Sequence, residues 1–440
     1  MAFIHPNSCE CVKSELDLFS LPNTQTSIEN GHWVHYNTLN SIQDDAPLDF
    51  VVNPGDDYIA LSHTLIYLTA KIVKEDGSRF DVTDKVAPVN NLLHSVFSQV
   101  DVYLNQKLIS PPNNTYAYKS YLETLLNYGP AAKQSHLTCG MWYVDTAGQM
   151  DTADDANKGF KNRLQLTCGS KEIDLIGHLN CDIFDQGKFL INGVELRVKL
   201  VRSRNSFVLM GSAGKLQITS ASLLIRRAKI NPTVMLAHAK ALEMSTAKYP
   251  ITRTEIKILT LPQGVLSKSM DNIYLGQLPK RVAVCFVSNK AFNGDFTLNP
   301  FNFKPFNLNF LSLYVDGHQN KPLQPDFVNA SKKYIGMFNT IFSGTGIHFM
   351  NEGNGMTRET FPDGFCVAVF DLTADLSANS IVHWNLVKNG SLRLEVGFST
   401  ALAETVNCVV YAEFDSIIEI DKKRNVFVDY SSSRFSKVCR

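Results

Sequence analysis

Apolar and polar residues alternate with a period of two in many short segments of the chain, which is the pattern of half-buried β-strands. In the first half these segments are 47–52, 63–73, 96–104, 194–200, 216–219 and 222–230. In the second half they are 282–287, 310–315, 365–370, 392–398 and 406–414. Turns rich in Gly, Pro and Asn separate them, so the pattern predicts an all-β chain built from sandwiches rather than from βαβ units.

Three segments instead carry apolar residues at helical spacing, and they are 116–128, 233–246 and 332–342. The first and the last take equivalent places in the two halves of the chain. The middle one lies between the halves and is expected to link them. We interpret the apolar faces of all three helices as core packing.

The second half of the sequence looks like a diverged copy of the first. Residues 57–73 align without a gap with 271–287, and a second gapless alignment pairs Ile173 with Phe370. The two matches follow each other in the same order along both halves. This pattern indicates two β-rich modules in tandem, and it favours a structural building block over a catalyst.

Composition agrees with two modules. A chain of 440 residues exceeds what one hydrophobic core usually organises. Only 19% of the residues are charged and the formal net charge is +0, whereas a nucleic-acid-binding protein normally carries a basic excess. Low charge near neutrality favours association with other proteins. Neither a membrane-spanning apolar run nor a signal peptide is present, so we expect folding in the cytoplasm or nucleus and no secretion.

The search for catalytic motifs predicts no enzyme and no cofactor. The glycine-rich stretch at 343–348 lacks the Gly-Lys-Ser/Thr of a phosphate-binding loop, and the GxSxG, HExxH and GxGxxG patterns are absent. The nine cysteines are scattered and do not form a disulfide framework.

Two groups of residues could each form a metal site, although we expect that neither binds a metal. Cys9 and Cys11, with His5 nearby, are half of a zinc site or, as we favour, two thiols on a mobile arm. Four carboxylates could gather a calcium ion, but their spacing is not that of an EF-hand and a solvated acidic loop is the better interpretation. These are Asp145, Asp151, Asp154 and Asp155.

Longer motifs are distinctive enough for comparison with known families. They are SELDLF (14–19), TQTSIE (24–29), PVNNLLHSVFSQV (88–100), NNTYAYKSYLETLL (113–126), LAHAKALE (236–243), NPFNF (299–303), LQPDF (323–327) and VYAEF (410–414). Together they resemble the major capsid protein of Polinton (Maverick) elements and the related adintoviruses. The resemblance extends over most of the chain, from about Ser14 to Asn425.

This resemblance implies a double jelly roll, in which two eight-stranded sandwiches stand side by side. Homotrimers of such subunits would form pseudo-hexagonal capsomers that tile an icosahedral shell, together with penton and minor capsid proteins. The protein would be located in the virion, would have no small-molecule substrate and would not recognise nucleic acid by sequence. The expected divisions are an arm at 1–30, jelly rolls at 31–232 and 250–425, a linking helix at 233–249 and a tail at 426–440.

Long irregular segments at 130–163, 293–309 and 343–363 are expected to carry the function, as long loops commonly do. In view of the resemblance, 111–163 and 325–363 are candidate tower loops and trimer contacts. For the phenylalanines near position 305, a place in the core beneath the interface is an equal alternative. The candidate residues are Tyr116, Tyr118, Tyr121, Trp142, Phe301, Phe303, Phe306, Phe338 and Phe342.

The two chain ends look like extended arms, and we expect one or both to become ordered only on assembly. The basic tail could meet packaged DNA, a membrane or a minor capsid protein, or could simply be solvated. Its charges are Lys422, Lys423, Arg424, Arg434, Lys437 and Arg440.

Two other classes of protein stay open as alternatives. A β-sandwich carbohydrate-binding module would need an aromatic platform, but Trp33, Trp142 and Trp384 are far apart in the sequence. A glycoside hydrolase with two jelly rolls would need a pair of carboxylates that the sequence does not single out.

Overall fold

Twenty β-strands and eight α-helices make up the part of the chain that the computed structural model describes, residues 4–43, 46–329, 332–380 and 382–428. The strands of the first half are β1 (Ile28–Asn37), β2 (Leu48–Val52), β3 (Tyr58–Ile59), β4 (Leu65–Val73), β5 (Ala87–Pro88), β6 (Phe97–Leu104), β7 (Lys107–Leu108), β8 (Ile173–His178), β9 (Leu196–Arg202), β10 (Leu209–Met210) and β11 (Lys215–Ile230). Those of the second half are β12 (Ala247–Leu261), β13 (Ser267–Gln277), β14 (Arg281–Ser288), β15 (Leu308–Val315), β16 (His318–Leu323), β17 (Val367–Asp371), β18 (Asn389–Phe398), β19 (Val406–Ile420) and β20 (Val426–Val428).

The helices are short and lie mainly between strands. The α-helices are α1 (Leu92–Ser95), α2 (Tyr116–Asn127), α3 (Pro130–Gln134), α4 (Lys158–Thr167), α5 (Asn205–Val208), α6 (Pro232–Met244), α7 (Asn289–Asn293) and α8 (Ile335–Thr345). Single turns of 3₁₀ helix lie at Ser14–Leu16, Leu61–His63, His136–Gly140, Cys168–Ser170 and Phe361–Asp363. Within the described residues, no helix is both long enough and apolar enough to cross a membrane.

The same strand order occurs twice. In the first half one sheet runs β1-β11-β4-β8 and the other runs β2-β9-β6-β7. In the second half the orders are β12-β19-β14-β17 and β13-β18-β15-β16, which are the same orders with equivalent strands. All these pairings are antiparallel, and each pair of four-stranded paths has the connectivity of an eight-stranded jelly roll.

The internal repeat read from the sequence is therefore a repeat of structure. The alignment of 57–73 with 271–287 places β4 on β14, as the strand order requires. The second alignment brings the correct strands together, β8 and β17, but in a shifted register. Ile176 is equivalent to Asp371 by strand pairing, whereas the sequence alignment places it at Thr373. The shift keeps the alternation of faces, which is why the apolar pattern did not reveal it.

Alternation along the strands places the core between the sheets. On β4 the side chains of Ile66, Leu68, Ala70 and Ile72 are buried and alternate with partly exposed ones, until Val73, which is also buried, ends the strand. In contrast, β14 is buried at every position after Arg281, and its sequence is a continuous apolar run. A strand with this composition is covered on both faces. One layer over this sheet is α8, which packs against β17.

The predicted helices at 116–128 and 233–246 are confirmed as α2 and α6, and the predicted helix at 332–342 is shifted toward the C-terminus as α8. Asn231 caps α6 by accepting a hydrogen bond from the backbone N–H of Thr233, with Pro232 in the first turn. The interpretation of its apolar face as core packing holds only in part: Val234, Met235 and Leu242 are partly buried against the core, whereas Leu236 is 59% exposed and no residue of α6 is fully buried. The segment 130–163, expected to be irregular, contains α3 and the start of α4.

Candidate functional site

The nine aromatic residues predicted for tower loops or trimer contacts fall into two groups. The residues of the first group are buried in the core of their own chain. For the residues of the second group, which are half-buried, contact with another subunit stays a prediction. The buried residues are Tyr116, Tyr118, Tyr121, Trp142, Phe301 and Phe303. The half-buried residues are Phe306, Phe338 and Phe342.

An aromatic cluster joins the two jelly rolls. Helix α2 of the first jelly roll brings Tyr121 onto Phe301, which lies between α7 and β15 of the second, with ring centroids 4.2 Å apart and planes 2° from parallel. Trp142 lies 5.1 Å from the Tyr121 ring. The Tyr118 hydroxyl donates a hydrogen bond to the carbonyl of Pro300 at 3.0 Å. Because each such ring pair adds about 0.5–1.5 kcal/mol to the energy of burial, the aromatic cluster resists separation of the jelly rolls.

Polar contacts reinforce the same junction. Asp145 accepts hydrogen bonds from Arg163 at 2.6 Å and from the side-chain amide of Asn299 at 3.0 Å. Asp151 accepts from the backbone N–H of Asn299 at 2.9 Å and from the ammonium group of Lys304 at 2.7 Å. These two carboxylates, weighed earlier as calcium ligands, thus bind side chains of the second jelly roll. No group of three or more metal-binding side chains occurs in the part of the chain that the structure describes.

A cluster of ionisable groups lies where α2 faces the second jelly roll. The ammonium group of Lys119 is 2.6 Å from Asp182 and 3.6 Å from Glu123, and Glu123 accepts a hydrogen bond from the Tyr411 hydroxyl at 3.3 Å. Burial raises the pKa of Glu123 to about 8, although Lys119 opposes the shift. Burial also raises the pKa of Asp185 to about 6. The junction therefore contains carboxyl groups that change charge near neutral pH.

Two histidines, His94 and His238, each bind a tyrosine. His94 lies 2.9 Å from the hydroxyl of Tyr116, through its Nδ1, and burial lowers the pKa of His94 to about 3. His238, on α6, lies 2.9 Å from the hydroxyl of Tyr58 through its own Nδ1. Because its pKa is so low, His94 is neutral at physiological pH and acts as a packing residue.

The loop between β17 and β18, described for residues 372–380 and 382–388, carries several large exposed apolar side chains. We call it the apolar loop. Clustered apolar surface of this kind marks interaction sites on soluble proteins. Its exposed residues are Leu376, Val382, Trp384, Leu386 and Val387. The sequence analysis missed this loop, although the density of apolar residues between Ser, Asn and Asp turns was a usable signal.

The two chain ends differ from each other. Residues 4–27 are all exposed, and the thiols of Cys9 and Cys11 are free. At the other end, Arg424 is part of the folded chain rather than of a solvated tail. Its guanidinium donates to the backbone carbonyl of Asn192 at 2.8 Å, and its own carbonyl accepts from Asn105 at 2.7 Å. Lys422 and Lys423 are exposed, and the other three tail charges, Arg434, Lys437 and Arg440, lie outside the described residues.

Tryptophans provide no shared platform in the described part of the chain. Trp142 is buried in the aromatic cluster, and Trp384 lies in the apolar loop of the second jelly roll. Trp33 lies on β1 of the first jelly roll under the guanidinium group of Arg226, which is 5.9 Å from the ring centroid.

Comparisons with solved structures identify the architecture. The chain is similar to a chain of the Sputnik virophage, with a TM-score of 0.68 and 12% identity over 100% of this chain and 96% of that one. It is also similar to the mavirus major capsid protein, with a TM-score of 0.54 and 12% identity over 100% and 98% of the two chains. The fold is a double jelly roll. The predicted all-β double jelly roll, with few short helices and long loops, is thereby confirmed.

Two further comparisons extend this result. The faustovirus major capsid protein gives a TM-score of 0.53 at 9% identity over 92% of both chains. In sequence, the chain is 26% identical over 434 residues to an uncharacterized protein of Caenorhabditis elegans, a match that covers 93% of this chain and 99% of that protein. No family model matches the sequence. At these identities the structural neighbours establish the fold of this double jelly roll and not its activity.

Proposed function

We propose that this double jelly roll is a major capsid protein whose homotrimers form pseudo-hexagonal capsomers of an icosahedral shell. The observation that carries the proposal is the repeated strand order, which gives one subunit two similar sandwiches. Three such subunits around an axis present six similar sandwiches, so one gene product yields a nearly sixfold building block. The similarity to the mavirus and faustovirus major capsid proteins supports this proposal, and the sequence motifs support an origin in the Polinton and adintovirus lineage.

The exposed apolar residues support an interface between subunits. Threefold closure needs a heterologous interface, in which one surface of a subunit meets a different surface of its neighbour. The apolar loop, with Trp384 and Leu386, offers one such surface. Phe338 and Phe342 on α8, whose rings are 4.9 Å apart, are half-buried and offer a second aromatic contact. Aromatic side chains suit interfaces because each buries a large area.

The junction between the jelly rolls supports the same role. A capsomer must keep its two sandwiches at a fixed angle, since neighbouring capsomers meet both. The aromatic cluster and the hydrogen bonds of Asp145 and Asp151 supply that rigidity within one chain. Partners outside the trimer would be neighbouring capsomers, penton and minor capsid proteins, and the site of action would be the virion.

Light scattering with size-exclusion chromatography tests the proposal, followed by negative-stain imaging of the main peak. We expect a species of about three times the chain mass of 49.1 kDa with a hexagonal outline, because the interface closes around a threefold axis. A chain that stays monomeric at all concentrations, also when co-expressed with penton and minor capsid proteins, would overturn the proposal.

A further inference from the structure

An apolar cleft lies beneath α6, the helix between the two jelly rolls. Its volume is about 480 Å³, which is enough for several side chains of another segment. Helix α6 contributes Val234, His238, Ala241 and Leu242 to one wall. The opposite wall consists of apolar and aromatic side chains from both jelly rolls, and they are Ile28, Tyr58, Phe189, Ile191, Ile230 and Tyr249.

The cleft carries a basic rim. Lys188, Lys248 and His238 are exposed and belong to its lining, whereas no Asp or Glu does. The ammonium group of Lys188 donates to the backbone carbonyl of Lys248 at 3.0 Å, so both lysines lie on the same side. A ligand for such a cleft combines apolar side chains with negative charge.

One segment of the same chain has this composition. Residues 14–21 of the N-terminal arm alternate acidic and apolar residues, with Glu15 and Asp17 among the leucines. Its apolar side chains find no partner within their own subunit. They are Leu16, Leu18, Phe19 and Leu21, and their exposed fractions are 69%, 75%, 97% and 90%. Four large apolar side chains so close together in sequence and so exposed mark a segment that binds elsewhere.

We propose that the cleft under α6 binds residues 14–21 from the arm of a second copy of this chain. The inference rests on the proposed function, since it needs neighbouring copies. The arm leaves its own subunit at the rim of the cleft, where Ser27 accepts a hydrogen bond from the backbone N–H of Asn231 at 2.9 Å. Gln25 closes a turn there by bonding both the N–H and the carbonyl of Ile28. The arm starts beside its own cleft and yet does not fill it, since the large apolar side chains of residues 14–21 are exposed, so we assign the cleft to the arm of a neighbour.

Photo-cross-linking of the full-length chain tests the proposal. Phe19 is replaced by the photoreactive residue p-benzoylphenylalanine, the assembled protein is irradiated, and the products are separated by denaturing electrophoresis and mapped by mass spectrometry. We expect a product of twice the chain mass, with the cross-link mapped to α6 or to residues 188–191. A cross-link to the cleft of the same chain, or cross-links scattered over the surface, would overturn the proposal.

A pair of variants on α6 supplies the control. Ala241 lines the cleft, whereas Ala239 lies outside its lining, and both are exposed on the same helix. Ala241→Glu places a negative charge against the acidic segment and is expected to reduce the cross-linked product at least tenfold. Ala239→Glu adds the same charge on the same helix and should leave the yield unchanged. Equal yields from the two variants would contradict the proposal.

The oligomeric state separates this inference from the proposed function. A trimer by light scattering that gives no cross-link at the cleft would leave the capsomer proposal standing and refute the docking of the arm. A chain that is monomeric under every condition would refute the capsomer proposal itself.

Discussion

Arg163 is fully buried and depends on three partners for its charge. Its guanidinium donates to the carbonyl of Pro88 at 2.7 Å, to the carbonyl of Tyr143 at 2.6 Å and to the carboxylate of Asp145 at 2.6 Å. Both members of this ion pair have side chains without exposed surface. Removing one partner of such a pair leaves the other as an uncompensated buried charge.

We therefore expect Arg163→Met to lower the free energy of unfolding by about 3–5 kcal/mol. Lys161→Met, two positions away on the same helix, is the control because its pair with Asp155 is exposed. It should cost less than about 1 kcal/mol. Urea unfolding followed by circular dichroism measures both, and equal losses would contradict the role of the buried pair.

Glu123 makes the stability of the chain depend on pH. Its pKa is raised from 4.5 to about 8 in the folded chain, so the folded state binds the proton more tightly than the unfolded state. The stabilisation from this group is therefore complete below about pH 4.5 and is lost as the pH rises through about 8.

Glu123→Gln cannot ionise at this position. As the pH rises from about 5 to about 9, the variant should therefore lose less stability than the wild type. The change in melting temperature across this range measures the effect. Glu75→Gln, at an exposed carboxylate, should behave like the wild type. A wild-type pH dependence retained in Glu123→Gln would refute the assignment.

At this scale the sequence predicted which residues carry a large aromatic surface, but not what covers each of them. Tyr121 and Phe301 were chosen as large aromatic residues next to long loops, and both are buried in the junction. Residue type shows that a side chain will bury a large area, but not whether its own chain or a neighbour covers it. Trp384, noted only as an isolated tryptophan, lies in the exposed apolar loop.

The junction between α2 and the segment 293–309 depends on Phe301. We expect Phe301→Ala to cost about 3–5 kcal/mol, because a buried aromatic ring is lost and a cavity is left. Hydrogen exchange measured by mass spectrometry should show faster exchange first in α2 and in residues 293–309, where the jelly rolls meet. Phe349→Ala, at a residue that is 90% exposed, should change neither stability nor exchange.

Most strands were predictable because each buries one face, and the alternation of apolar residues records this directly. Helix α6 was predicted in the right place, but the extent of its burial was not, since a helix that lies partly across a cleft has an apolar stripe much like one packed wholly on a core. The helices within 130–163 were missed because they are short and their apolar residues do not repeat over two full turns.

For the whole molecule, the proposed trimer gives a test at the apolar loop. Leu386→Glu should shift the equilibrium from trimer to monomer by at least tenfold, because a charge would be buried at the interface, and should leave the melting temperature of the monomer unchanged. Val82→Glu makes the same kind of change at an exposed residue of the first jelly roll and should leave the trimer intact. Sedimentation equilibrium measures the dissociation of the trimer for both variants. If the two variants dissociate equally, the apolar loop is not part of the interface.

The repeated architecture was the most predictable property, because order along the chain survives divergence that erases most identities. Thus 57–73 and 271–287 still aligned, and their strands hold the same place in the two sheets. How the jelly rolls attach to each other was not predictable. That attachment depends on contacts between Asp151 and Lys304 or Tyr121 and Phe301, which come from distant parts of the sequence.

The pairing of first and last strands has a consequence for synthesis on the ribosome. The first jelly roll closes when Ile230 pairs with Ile28, and the second only when Ile420 pairs with Ala247. At about 5–20 residues per second, translation separates these events by roughly 10–40 seconds. During that interval Tyr118, Tyr121 and Trp142 are exposed to solvent, because Phe301 and its neighbours have not yet folded over them. The nascent subunit is thus most prone to aggregate, and most dependent on chaperones, after its first half has folded.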